Sequence, residues 1–245
     1  MSKVIVITGA GIGLGRALAK RFATEGHQVV LLGRTLSKVQ SVSDDIGKQA
    51  LAIACDVGLP DSVTTAFNTI AEHHSQIDVL INNAAIFEPF LLADAKDEQI
   101  INTINTNLIG PMLCVRAALP MMQSGSHIFT ISGESVDMDF PHLSVYQASK
   151  AGIERLSKSL YSELKPQGIR VTNIRAGAMF EDGKTWDVDP EAQIAFAKAA
   201  FERGIKLRER PLSQFTSASE VFSALINLPS DIHAETISLH AREAE

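Results

Sequence analysis

Tyr146 and Lys150 lie four residues apart in a stretch, Ser144–Leu164, whose apolar spacing predicts a helix, so the two side chains share one helix face. A phenol ordinarily titrates at about 10, too high to exchange protons readily at neutral pH. A neighbouring ammonium favours phenolate and is expected to lower that value. A Tyr tuned in this way could give a proton to a carbonyl oxygen as its carbon is reduced, or take one from an alcohol in reverse.

A second group of residues suits a dinucleotide. The run Thr8-Gly9-Ala10-Gly11-Ile12-Gly13-Leu14-Gly15 stands between a predicted strand, Lys3–Thr8, and a predicted helix, Gly13–Glu25. Glycines allow a tight turn and close approach of a ligand to the backbone. The helix start turns free N–H groups and its dipole towards the same spot, which suits a pyrophosphate. The spacing is T-G-x-x-x-G-x-G rather than G-x-G-x-x-G, and its placement in a βαβ unit gives it weight. Gly9, Gly11, Ile12, Gly13, Leu14 and Gly15 are therefore candidate cofactor contacts. The second strand ends in Leu32-Gly33-Arg34-Thr35, where an acidic residue would bind the ribose 2′-hydroxyl of NAD. Arg34 can instead pair with a 2′-phosphate through both prongs of its guanidinium. Gly33, Arg34 and Thr35 thus favour NADPH over NADH.

The elements needed to position these groups can be read along the chain. Strands are expected at Lys3–Thr8, Gln28–Leu32, Ala50–Ala54, Ile77–Ile81, His127–Ile131, Ile169–Ile174 and Glu235–Leu239. Helices are expected at Gly13–Glu25, Leu36–Ile46, Asp61–His73 capped by Asp61, about Asp97 to Met122 with a kink at Gly110-Pro111, Ser144–Leu164 and Pro190–Arg203. A last helix opens on a Ser217-x-x-Glu220 capping box and runs to Leu228. Such alternation implies a doubly wound, Rossmann-type α/β fold: a seven-stranded parallel sheet with helices on both faces, a three-layer sandwich in one domain over residues 1–245. From Gly177 to about Ser217 no clear strand is expected. Residues 179–217 read as a substrate lid, with Phe180, Trp186, Phe196 and Phe201 shaping an apolar pocket.

These residues resemble the short-chain dehydrogenase/reductase family over nearly the whole chain. The resemblance rests on Thr8-Gly9-x-x-x-Gly13-x-Gly15, Asp56-Val57, Asn82-Asn83-Ala84-Ala85, Asn107 and Tyr146-x-x-x-Lys150, all in family order and spacing. It implies that Tyr146 is the acid/base and that Lys150 holds the nicotinamide ribose and tunes Tyr146. It implies that Asn107 supports Lys150 through water, and that Asp56, with Val57 beside it, accepts from the adenine amino group. Asn83, Ala84 and Ala85 would line the adenosine ribose, with Asn82 mainly structural. Gly177, Ala178 and Met179 would meet the nicotinamide amide through their backbone.

Two departures from the family pattern fall at candidate site positions. The family's catalytic Ser falls on Gly133, within Ile131-Ser132-Gly133-Glu134-Ser135. Ser132, which ends the strand, is the preferred substitute; Ser135 and no Ser at all remain open. Four residues beyond Gly177, where the family has a Thr touching the cofactor, stands Glu181.

The implied activity is NADP(H)-dependent hydride transfer between nicotinamide and a carbonyl or secondary alcohol on a small-molecule substrate. A non-catalytic dinucleotide-binding sensor or partner protein is the alternative, favoured by Gly133. A homodimer or homotetramer on the Asn107 and Tyr146 helices follows from the resemblance. The net charge of −6 argues against nucleic acid as a partner. No apolar run is long enough to span a bilayer, and the start of the chain does not read as a signal peptide. Cys55 and Cys114, both in apolar stretches, read as reduced core thiols and point to the cytoplasm. The histidines lack metal-ligand spacing, and no metal is expected.

Overall fold

The computed structural model describes residues 2–181 and 188–242. Its main sheet has seven parallel strands in the order β3-β2-β1-β4-β5-β6-β9. These are β1 Val4–Thr8, β2 Gln28–Gly33, β3 Ala50–Ala54, β4 Val79–Asn82, β5 His127–Gly133, β6 Arg170–Ala176 and β9 Thr236–Leu239. The central strands are apolar on both faces because both faces are covered. On one side, Ile5, Ile7, Leu31, Ile81 and Phe129 pack with α1 (Gly13–Thr24), α2 (Leu36–Ile46) and α8 (Phe215–Ile226). On the other, Val6, Val30, Leu80, Ile128 and Val171 pack with α3 (Pro60–His73), α5 (Gly110–Ala118) and α6 (Ser144–Leu164). The seven-stranded parallel sheet with helices on both faces is the one expected from sequence.

The differences are local. α3 begins at Pro60, so Asp61 lies in its first turn and Leu59 occupies the cap position. Pro at the helix start needs no N–H there, which fixes the boundary. The long helix after β4 is not kinked by Gly110-Pro111 alone. It is divided into α4 (Asp97–Ile104), a π-helical turn (Asn105–Ile109) and α5, with Pro111 harmless in α5's first turn. α8 begins at Phe215, two residues before the expected capping box, and has no side-chain cap. Glu220 instead pairs with Arg21 on α1.

The region read as strandless contains two short parallel strands, β7 (Met179–Phe180) and β8 (Ser213–Gln214), joined by Ser213 N–H donating to Ala178 O at 3.1 Å. Between them α7 (Pro190–Glu202) is capped by the Asp189 carboxylate, which accepts from the N–H groups of Glu191 and Ala192. Of the four aromatics expected to shape a pocket, Phe196 packs with Phe140 and Leu143. Phe201 does not: it is 71% exposed on the outer face of α7. Trp186 lies outside the described residues.

Candidate active site

The strand order reverses between β1 and β4, and a cleft of about 440 Å³ opens at the carboxyl ends of the strands there. The turn after β1 forms one wall. Gly9 and Gly13 have φ of +67° and +55°, values that disfavour a side chain. The first N–H groups of α1 have no side-chain cap, since Ile12 holds the cap position. They remain available to an anion at the helix start. The turn is pinned from behind. Asn83 Nδ2 donates to the carbonyls of Thr8 and Gly9, and Thr8 Oγ1 accepts from the N–H groups of Asn83 and Ala84. This gives Thr8 a role that the glycine pattern alone did not reveal.

Gly9, Gly11, Ile12, Gly13, Leu14 and Ala84 line one end of the cleft, with Ala85 and Asn83 beyond them. Gly33, Arg34, Thr35, Asp56 and Val57 line the cleft beside the end of β2. Lys38 joins Arg34 there, a second cation the motif reading missed. Asp56 Oδ1 accepts from Gly58 N–H at 2.9 Å, and Ser62 Oγ accepts from Asp56 N–H. Gly15, Asn107, Ala178 and Met179 are not among the lining residues. Gly177 lines it and donates its N–H to Leu239 O, joining the end of β6 to β9. Glu181, in place of the family's Thr, forms an ion pair with Arg16 of α1 at 2.5 Å.

At the other end of the cleft α6 presents Tyr146 and Lys150. Lys150 Nζ is buried, donates to Ile131 O at 2.8 Å and lies 5.7 Å from the centre of the Tyr146 ring. The Tyr146 ring meets Phe87 edge-on at 5.1 Å. Asn107 sits in the π-helical turn, a device found often at functional sites. Its amide clamps both backbone groups of Ile86 and donates to Ser149 Oγ at 3.1 Å, next to Lys150.

The electrostatics reverse one expectation. Burial pushes the Tyr146 phenol up to about 12, and the nearby Glu134 carboxylate acts in the same direction. Burial pushes the Lys150 ammonium down to about 8. Desolvation outweighs the attraction that would lower the phenol. Tyr146 is therefore held in its proton-donor form.

Ser132 is engaged elsewhere. Its hydroxyl donates to Glu154 Oε1 at 2.8 Å and accepts from Asn173 Nδ2 at 3.0 Å. Arg175 grips the same carboxylate with two nitrogens at 2.9 and 2.7 Å. Burial acts upward on Glu154, but the hydrogen bonds from Arg175 and Ser132 outweigh it and hold its carboxyl below the ordinary range. Position 133, on the opposite side of the alternating strand, is the one that looks towards Tyr146.

The Lys150 environment has a measurable consequence. The unfolded chain keeps the Lys150 proton up to its ordinary 10.5, whereas the folded protein releases it at about 8. The folded state therefore binds fewer protons between those values, and its stability rises with pH through that window. Lys150→Met should abolish this rise. Urea unfolding at about pH 7 and about pH 10 should show the wild type gaining on the variant by on the order of 2 kcal/mol. A difference that does not change with pH would mean the ammonium is not buried as described.

A doubly wound sheet with a glycine-rich turn at its switch point and a Tyr/Lys pair in the same cleft defines a dinucleotide-dependent oxidoreductase. A profile of the short chain dehydrogenases matches residues 3–185. The chain belongs to that family. It is 33% identical to carbonyl reductase family member 4 of Danio rerio, and 30% identical to the 3-oxoacyl-[acyl-carrier-protein] reductase of Homo sapiens. Each match covers 93% of this chain and 91% of the relative. Among solved structures, a short chain dehydrogenase from Burkholderia cenocepacia in complex with NADP is 25% identical, with a TM-score of 0.82 over 98% of this chain and 96% of that one. No helix among the described residues is long and apolar enough to cross a membrane.

Proposed function

We propose that this chain is an NADP(H)-dependent oxidoreductase acting on a small-molecule carbonyl or secondary alcohol, with Tyr146 as its acid/base. The observation that carries this reading is a half-buried phenol, held as a proton donor beside Lys150, in the cleft that the glycine-rich turn opens. The names of the relatives above, a carbonyl reductase and a 3-oxoacyl reductase, support carbonyl reduction.

The cleft fits the dinucleotide. The uncapped start of α1 offers donors for the pyrophosphate. When bound, the nicotinamide supplies or accepts hydride. The chain's own residues do the rest. Arg34 and Lys38 would hold the 2′-phosphate, and Asp56 would accept from the adenine. Lys150 would hold the nicotinamide ribose, and Tyr146 gives its proton to the substrate oxygen. Of the segment 179–217, the described residues 179–181 and 188–217 act as the lid over the substrate, and Phe196 packs against the Phe87–Tyr146 wall. A homodimer or homotetramer would form on the Asn107 and Tyr146 helices; the exposed Leu91, Leu92, Ile101, Ile109 and Met112 support the Asn107 part of that surface. The buried thiols of Cys55 and Cys114 suit a reducing, cytoplasmic setting.

The non-catalytic reading is favoured by Gly133, which leaves no hydroxyl at the family's Ser position. The test is NADPH absorbance with ethyl acetoacetate, diacetyl and benzaldehyde. Oxidation of NADPH supports the enzyme; tight NADPH binding with no oxidation by any of the three supports the sensor. Arg34→Asp tests the choice of cofactor. It should lower the ratio of NADPH to NADH affinity by roughly 100-fold, the cost of losing a charge-assisted, two-pronged pair and adding a repulsive charge. An unmoved ratio removes Arg34 as the 2′-phosphate reader.

A further inference from the structure

We propose that Ser135 supplies the hydroxyl that holds the substrate's carbonyl oxygen, the task that position 133 cannot perform. The inference rests on the enzymatic reading above and deepens it.

Gly133 has φ −153°, extended backbone that any residue adopts, so the glycine is not demanded by conformation. Nor is it demanded by crowding. A Cβ there would lie 3.5 Å from Ser135 Oγ, 3.7 Å from Ala176 O and 3.8 Å from Tyr146 OH, all ordinary contacts. The missing side chain therefore leaves a gap between two hydroxyls, one of them the proposed proton donor.

Ser135 is placed to use that gap. It lies in a single 3₁₀ turn, Glu134–Val136, directly after β5. Its carbonyl accepts from Gln147 Nε2 at 2.7 Å, which ties the turn to the residue beside Tyr146 on α6. Ser135 is only 6% exposed, and its hydroxyl has no hydrogen-bond partner. Buried hydroxyls are nearly always paired, so one left over beside the reacting site calls for a ligand. Ser132 contrasts with it at each point, being paired to Glu154 and Asn173.

An oxygen seated in the gap would accept from both Tyr146 and Ser135. The C=O π bond opens as hydride reaches the carbon, and the Tyr146 proton passes to the oxygen. Ser135 donates a hydrogen bond and keeps its proton, so no further reactant is needed.

The test uses the full chain with NADPH and the fastest of ethyl acetoacetate, diacetyl and benzaldehyde. Ser135→Ala removes only an unpaired hydroxyl. It should lower kcat/KM by roughly 100-fold or more, the usual effect of deleting one such donor. NADPH affinity, read by fluorescence, should stay within about twofold, since no cofactor contact changes. Adding Gly133→Ser to Ser135→Ala should restore at least about tenfold, because the new hydroxyl enters the same gap. Full activity in Ser135→Ala alongside an inactive Tyr146→Phe overturns the role of Ser135 alone. Loss of activity that Gly133→Ser does not restore also overturns it. If the wild type oxidises NADPH with none of the three carbonyls, or if Tyr146→Phe is fully active, the enzymatic reading itself has failed and this inference falls with it.

Discussion

Tyr146→Phe is expected to lower carbonyl-dependent NADPH oxidation by roughly 100- to 10,000-fold, the range for losing a general acid. The change is confined to one atom. Phe keeps the ring and its edge-on contact with Phe87, and the Lys150 bond to Ile131 O does not involve the phenol. NADPH affinity should therefore be nearly unchanged, and the loss should appear in kcat rather than in nucleotide binding. With the phenol pushed up to about 12, Tyr146 is neutral throughout the physiological range and ready to donate. Reduction should therefore vary little with pH on account of this group, whereas oxidation of an alcohol needs phenolate and should accelerate as pH rises. Parallel measurement of turnover and nucleotide titration decides the matter. Normal turnover in the variant would exclude Tyr146 from the reaction.

The fold was legible because its signals are periodic and redundant. Val4–Thr8 and Gln28–Gly33 are largely apolar on both faces, and each is followed by a helix with its own stripe. What sequence missed depends on competition between distant groups. Ser217 and Glu220 form a good local capping pattern, yet Glu220 pairs with Arg21 across the fold. β7 and β8 have two residues each, too short for any alternation to be read. The π-helical turn at Asn105–Ile109 has no composition of its own, and within it Asn107 reaches Ile86 and Ser149.

Within the site, motif spacing found many of the cleft-lining residues but missed Lys38, and it gave no account of their electrostatics. The Tyr/Lys spacing suggests a lowered phenol, because it reports proximity and says nothing of burial. The structure buries both groups, and desolvation wins. The choice between Ser132 and Ser135 was likewise open in sequence. Strand alternation sends Ser132 to the Glu154 side, and only coordinates show the Ser135 hydroxyl left unpaired.

Gly15→Ala is the other change with a large expected effect, and it separates the turn's backbone from its side chains. A Cβ on Gly15 would fall 2.4 Å from Gly9 O, 2.7 Å from Asn83 Nδ2 and 2.9 Å from Gly9 C. Two of those atoms are backbone, so a rotamer change cannot relieve the clash. The turn must move away from α1, breaking the bonds by which Asn83 holds the carbonyls of Thr8 and Gly9. Overpacking of this kind costs about 1–3 kcal/mol. If the cost falls on the geometry that receives the pyrophosphate, NADPH affinity should drop by on the order of 10- to 100-fold. Gly11→Ala provides the contrast. Its Cβ would meet Lys38 Cβ at 3.0 Å, a side-chain atom on an exposed turn of α2 that can yield by a few tenths of an ångström, so its penalty should be several-fold smaller. Fluorescence titration of both variants, with thermal melts to confirm folding, reads the difference. Wild-type affinity in a folded Gly15→Ala protein would show that the turn does not cradle the cofactor, and the placement of nicotinamide beside Tyr146 would lose its anchor.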